Sequence, residues 1–151
     1  MTILIFSVNK CIYGMNIDQV QEIIVNQNSR ISRTIRGEFT EGVVDVRDSI
    51  YTVMNMESIL GSQKSETEGY LILCSEDKLA FKVDNVLTIV SEENLEIKPM
   101  DNISKIIENN MFDTAFQYED HIGLLINSNK LMKKIRREEE PIEESEEIEE
   151  K

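Results

Sequence analysis

The side chains best suited to nucleophilic or acid–base chemistry are few: one histidine, His121, and two cysteines, Cys11 and Cys74. A cysteine needs a neighbouring base or cation to be a thiolate near neutral pH. Cys11 and Cys74 each lie within an apolar, strand-like run and neither has a CxxC partner. They read as buried, reduced thiols acting as small hydrophobes, not as a disulfide, a zinc site or a nucleophile. His121 falls between Asp120 and Ile122 at an expected hairpin turn, facing solvent. The six glycines form neither GxGxxG nor GxxxxGK, and there is no HExxH or EF-hand loop. Carboxylates concentrate in the last segment, where ordering each ligand costs entropy and a metal cage is a poor prospect. The expectation is a protein without catalytic activity, metal or cofactor.

The elements that would position any site repeat. Ile17-Asp18-Gln19-Val20 and Val83-Asp84-Asn85-Val86 each follow a hairpin-like stretch, Leu4 to Ile17 and Tyr70 to Val83, with a polar centre at Ser7 to Lys10 and at Ser75 to Lys78. A third echo follows in each half: Val44-Asp45 through Val53-Met54-Asn55, then Phe112-Asp113 through Leu125-Ile126-Asn127. The chain therefore divides into two small β-units. Strands are expected at 3–8, 10–17, 23–25, 43–46, 50–54, 70–75, 79–83, 86–90 and 122–126, with a loop around Pro99. Asp18 is expected to cap a short helical turn over 19–22, Asn55 a helix ending at Leu60, and Gly61 to stop it in left-handed backbone. A helix-compatible stretch spans 102–108. Ser128 starts a closing helix with Leu131 and Ile135 on one face.

With 151 residues, 40% of them hydrophobic and 30% charged, the chain can bury a core of useful size. Of the net charge of −13, residues 138–151 supply −8, from nine Glu and one Lys. That block reads as a disordered acidic tail. The mildly acidic remainder lacks a basic, aromatic-bearing face, so nucleic acid is an unsuitable partner. Arg30, Arg33 and Arg36 read as part of a solvated loop. No signal-like start and no apolar run of membrane-span length point to a cytosolic protein with no direct membrane insertion.

Ile12-Tyr13-Gly14-Met15-Asn16-Ile17-Asp18-Gln19-Val20-Gln21-Glu22-Ile23-Ile24 resembles the opening signature of the CheW family, the coupling adaptors of bacterial chemotaxis. Gly42-Val43-Val44-Asp45-Val46-Arg47-Asp48-Ser49-Ile50 is similar to its central motif, usually GVxNLRGxI. Phe81 to Val86, Ile97-Lys98-Pro99, Leu124 to Asn127 and Lys130-Leu131 follow in the family's order. The resemblance covers about residues 3–135. Departures are Asp48 for Gly, Asp45 for Asn, Thr52 for Pro, Asn55 for Asp, Glu57 for Arg, and Met111-Phe112 for Gly-Val.

The resemblance implies an all-β fold of two intertwined five-stranded SH3-like barrels with short helices. The CheW-like domain would cover 1–137, with sub-barrels roughly at 1–61 and 69–132 and a closing helix at 128–137. It implies a non-enzymatic adaptor, monomeric outside receptor arrays, that joins chemoreceptor cytoplasmic tips to the regulatory domain of the histidine kinase CheA. The expected receptor- or kinase-binding residues are Val20, Glu22, Gly42, Val44, Arg47 and Ile50. Glu22 and Arg47 could pair across adjacent elements, either as part of a binding rim or as an exposed ion pair of little consequence. Val20, Val44 and Ile50 suit a core role equally well. A same-fold adaptor for another kinase pathway and a small thiol enzyme are the alternatives.

Overall fold

A computed structural model describes residues 1–100 and 111–139, the side chains of 113 and 137–139 excepted. The expected helix at 102–108 and most of the acidic tail lie outside these residues. In chain order the elements are β1 (Thr2–Val8), β2 (Cys11–Asn16), β3 (Val20–Val25), β4 (Thr40–Val46), β5 (Ser49–Asn55), α1 (Met56–Ile59), β6 (Tyr70–Cys74), β7 (Leu79–Val83), β8 (Asn85–Ser91), β9 (Glu96–Pro99), β10 (Phe112–Tyr118), β11 (His121–Ile126) and α2 (Ser128–Glu139). Single 3₁₀ turns occupy Ile17–Gln19, Asn28–Arg30 and Glu92–Asn94.

The fold is all-β, and its strands pair into two sheets, ordered β8-β1-β2-β11-β10-β9 and β3-β6-β7-β5-β4. The duplication read in the sequence explains both orders. If β6, β7, β8, β10 and β11 are the second copies of β1, β2, β3, β4 and β5, the two orders are the same once β9 is set aside. The leading hairpin of each half sits inside the other half's sheet. Each inserted hairpin has an antiparallel junction on one side, β1 with β8 and β6 with β3, and a parallel one on the other, β2 with β11 and β7 with β5. The stretches 1–61 and 69–132 are therefore units of sequence, and both sheets draw strands from each. The first sheet has six strands where five are expected, because Glu96–Pro99 pairs with β10.

Alternation drives the burial. In β1 every residue from Ile3 to Val8 is covered, since Leu4, Phe6 and Val8 face a core shared by both sheets while Ile3 and Ile5 face Phe116. The shared core also takes Met15, Met54, Met56, Ile59, Ile72 and Phe81, and Leu131 and Ile135 of α2 close it. A second cluster, built on Val44, Tyr51, Val53, Leu71, Leu73 and Ala80, fills the second sheet's other side.

Caps and turns settle the local details. The Asn55 carboxamide oxygen accepts from the Ser58 N–H to cap α1, and Gly61 stops it at φ +90°. Asn127 does the same for α2, accepting from the Lys130 N–H. Asp18 is not a cap. The side chain of Asn16 accepts from the Asp18 N–H, so the turn comes at 17–19 and β3 begins at Val20. Nor is His121 a turn residue: it is the first, exposed residue of β11. Glu57 is buried and accepts from both the N–H and the hydroxyl of Ser65, so the polar linker after α1 is tied to the fold. Its departure from the family's usual Arg thus has a local reason.

Candidate functional site

In the second sheet the two edge strands are β3 and β4, yet side chains of β3 meet those of the β4–β5 hairpin. The sheet curls until its edges face each other, a consequence of strand twist over a small, tightly packed sheet. Among the described residues no backbone ladder joins β3 to β4 or β5; side chains close the seam. The Arg47 guanidinium donates from both terminal nitrogens to the two carboxylate oxygens of Glu22. The Tyr51 hydroxyl donates to the Gln21 side-chain oxygen at 3.0 Å. Farther along, Arg30 donates to the Asp45 carbonyl at 3.3 Å, and Ser32 exchanges two backbone hydrogen bonds with Val43, at 2.8 and 2.9 Å.

Arg47 is aimed at the seam by its turn. Arg47 and Asp48 both have positive φ, +50° and +69°, forming the two-residue link between β4 and β5. Such a link favours Gly, and Asp48 lacks its freedom. The strain is held by Asp45, whose Oδ1 accepts from the Asp48 N–H at 3.1 Å. Two departures from the family pattern, Asp45 and Asp48, thus act together.

The pair's electrostatics are mutual. Hydrogen bonding to Arg47 holds the Glu22 carboxyl below its ordinary value, and hydrogen bonding to Glu22 holds Arg47 above its own. Both groups are charged throughout the physiological range. The Arg47 side chain is 69% exposed and that of Glu22 25%, so the guanidinium is oriented by its partner while much of it stays open to solvent.

The other expected site residues divide sharply. Ile50 is 57% exposed and stands opposite Asp45 in the β4–β5 ladder, beside the Arg47 turn. Val20 is half-buried against the shared core at the start of β3. Val44 is a core residue: it is buried on the side of β4 that faces Tyr51 and Val53, and presents no side-chain surface to a partner. Gly42 acts through its backbone. A Cβ there would meet the Ser32 carbonyl oxygen at 2.1 Å, with φ at +150° and a bulge in β4 beside it. Only glycine lets the Ser32 strand segment lie this close.

Three participants escape a reading of the sequence: Gln21, Tyr51 and the brace Asp45. No spacing links Gln21 to Tyr51; only the curl of the sheet does. A second cluster, also invisible in sequence, lies at the end of the β4–β5 hairpin away from the Arg47 turn. Glu41 and Lys82 are buried with Oε2 and Nζ 3.3 Å apart, and Glu41 also accepts from Asn55 at 2.9 Å and Arg33 at 3.2 Å. Burial pushes the Glu41 carboxyl up, but Lys82, Asn55 and Arg33 together outweigh it and hold it below the ordinary value.

Nucleophilic chemistry finds little support. Burial pushes the Cys74 thiol up to about 11, far from a thiolate at neutral pH. Cys11 is exposed, which corrects the expectation of burial. Its hydrogen-bonded neighbour Tyr13 is pushed up to about 12 by burial and by Cys11 itself, and cannot serve as a base. Among the described residues no three His, Cys, Asp or Glu side chains are grouped to hold a metal, and no helix is long and apolar enough to cross a membrane.

Comparison with known proteins follows the same lines. The CheW-like domain family matches residues 2–136. No curated protein matches at the significance required. Among solved structures, the chain is similar to the scaffolding protein TtCheW from Thermoanaerobacter tengcongensis, with 22% identity over 83% of this chain and 87% of that one and a TM-score of 0.65. At that identity the likeness concerns the fold. The family match spans nearly the whole described chain, including the Glu22–Arg47 seam, and on that ground the chain belongs to the CheW-like domain family.

Proposed function

We propose that this protein is a non-enzymatic scaffold of bacterial chemotaxis, which couples the cytoplasmic tips of chemoreceptors to the regulatory domain of the histidine kinase CheA. It would work in the cytoplasm, recruited to receptor arrays at the inner membrane. The observation that carries the reading is an exposed, bidentate Arg47–Glu22 pair at the seam of a CheW-like sheet, with the apolar Ile50 beside it. A helical receptor tip would meet an apolar contact flanked by a pre-oriented cation. Preorganisation lowers the side-chain entropy lost on binding. A scaffold needs no catalytic group: holding kinase and receptor at separate surfaces raises their effective concentration and biases the kinase between its states.

Calorimetric titration with the CheA regulatory domain of the same organism tests the scaffold reading. Saturable one-to-one binding is expected; no heat and no binding, with the protein folded by circular dichroism, would reduce the inference to fold alone. Given binding, Arg47→Glu is expected to weaken receptor coupling while leaving kinase binding intact.

A further inference from the structure

The loop from β3 to β4 carries three arginines, Arg30, Arg33 and Arg36, and one carboxylate, Glu38, between Asn26 and Phe39. Residues 32–38 are all exposed, and Ile35 among them is 59% exposed between Arg33 and Arg36. Arg33 reaches Glu41 with one nitrogen, yet its side chain remains 42% exposed. The result is a basic surface with an apolar residue at its centre.

The middle of helix α2 packs against the base of this loop. Leu131 and Ile135 are buried in the core that includes Phe39, the residue that closes the loop. The Lys134 ammonium lies 5.9 Å from the Phe39 ring centroid and donates to the Ile59 carbonyl at 2.9 Å. Helix α2 runs on from Lys134 to Glu139, about 8 Å, so the chain beyond it leaves within reach of the arginine loop. Residues 140–151 hold seven Glu, one Lys and two isoleucines, Ile142 and Ile148. Twelve residues can reach about 40 Å when extended, while Arg36 lies within about 10 Å of Phe39 along the chain.

We propose that residues 140–151 dock on the loop of their own chain, with the glutamates around Ile142 and Ile148 against Arg33 and Arg36 and an isoleucine on Ile35. Charge, apolar content and the point of departure agree in sign and place. A short tether supplies an effective concentration in the mM range, which an untethered acidic peptide must match to compete. The tail would then screen the loop from other acidic surfaces, in a manner weakened by salt. This inference does not depend on the proposed scaffold role.

Paramagnetic relaxation on the full chain tests it. A nitroxide is attached at Ser145→Cys in a Cys11→Ser background, where the remaining thiol, Cys74, is buried. Backbone amide signals of residues 32–37 are expected to lose about half their intensity, since a tether in the mM range half-fills even a mM site. The loss should recover in about 0.5 M salt and in the Arg33→Gln/Arg36→Gln variant. No broadening at 32–37, or broadening unchanged in that variant, would overturn the proposal. So would equal broadening in isotope-labelled chain mixed with separately spin-labelled chain, which would assign the contact to a second copy.

Discussion

Two carboxylate–cation pairs in this molecule use similar chemistry to opposite ends. Glu22–Arg47 bridges the seam at the surface by the β4–β5 turn, and Glu41–Lys82 is buried at the opposite end of that hairpin. The buried pair is committed. Removing either partner would leave a charge stranded away from water, so Asn55 and Arg33 are recruited to satisfy the remaining Glu41 sites. The surface pair is disposable for folding, since water replaces whatever is lost. Its geometry, two parallel hydrogen bonds on an exposed guanidinium, serves orientation instead. What the pairs do is thus decided less by their residue types than by whether solvent can stand in for a missing partner.

The largest break in that comparison should come from Lys82→Met. It leaves the Glu41 carboxylate buried without its ammonium, and urea unfolding should register a loss of about 3 kcal/mol. Adding Glu41→Leu should restore most of it, because an apolar pair leaves no charge uncompensated. A double variant as unstable as the single one would count against the pair as the source of the loss.

Acid sharpens the contrast. Glu41 is held below its ordinary value of 4.5 in the folded state. The unfolded chain therefore binds more protons in that window, and stability rises with pH there. The Glu41 contribution is present in full above the unfolded value and is lost as pH falls through the folded one. In urea titrations below pH 4.5, Glu41→Gln should flatten this dependence more than Arg47→Gln does.

Smaller effects should follow at the seam. Asp48→Gly relieves positive φ at the turn and should stabilise by about 1 kcal/mol, read as a higher urea midpoint with unchanged slope. Arg47→Glu should leave the midpoint close to that of the native chain while receptor coupling falls. A large loss of stability in that variant would mean that the surface pair carries the fold as the buried one does.

Much of the scaffold was legible locally. The hairpins 4–17 and 70–83 declare themselves by polar turns between β-branched runs, and Asn55 and Gly61 by cap chemistry. The seam residues Glu22 and Arg47 stood out because they belong to motifs. Strand β9 did not: all four of its residues are exposed, and Pro99 argues for a loop. Strand β10 appears in the sequence only as an echo of β4, without the unbroken apolar run that marks β1. Lys82 in the middle of an apolar strand gives no hint that its counter-charge is Glu41, because the two are joined only by the parallel β5–β7 pairing. Long-range pairing, not local propensity, places the buried charges.

The exchange of hairpins between the two halves also governs how the chain can be made. On the ribosome β1 and β2 emerge before their partners in the sheet and pair at once, but the other edge of β2 belongs to β11, and Ile12 meets Gly123 only after the residues between them have been made. Until then an apolar strand edge stays open, and neither sheet can be completed by its own half. Neither sheet can therefore close until its last strand has been made, and pairing of this kind slows folding because non-local contacts reward the ordering entropy late. The exchange makes of two similar halves a single unit that cannot be divided.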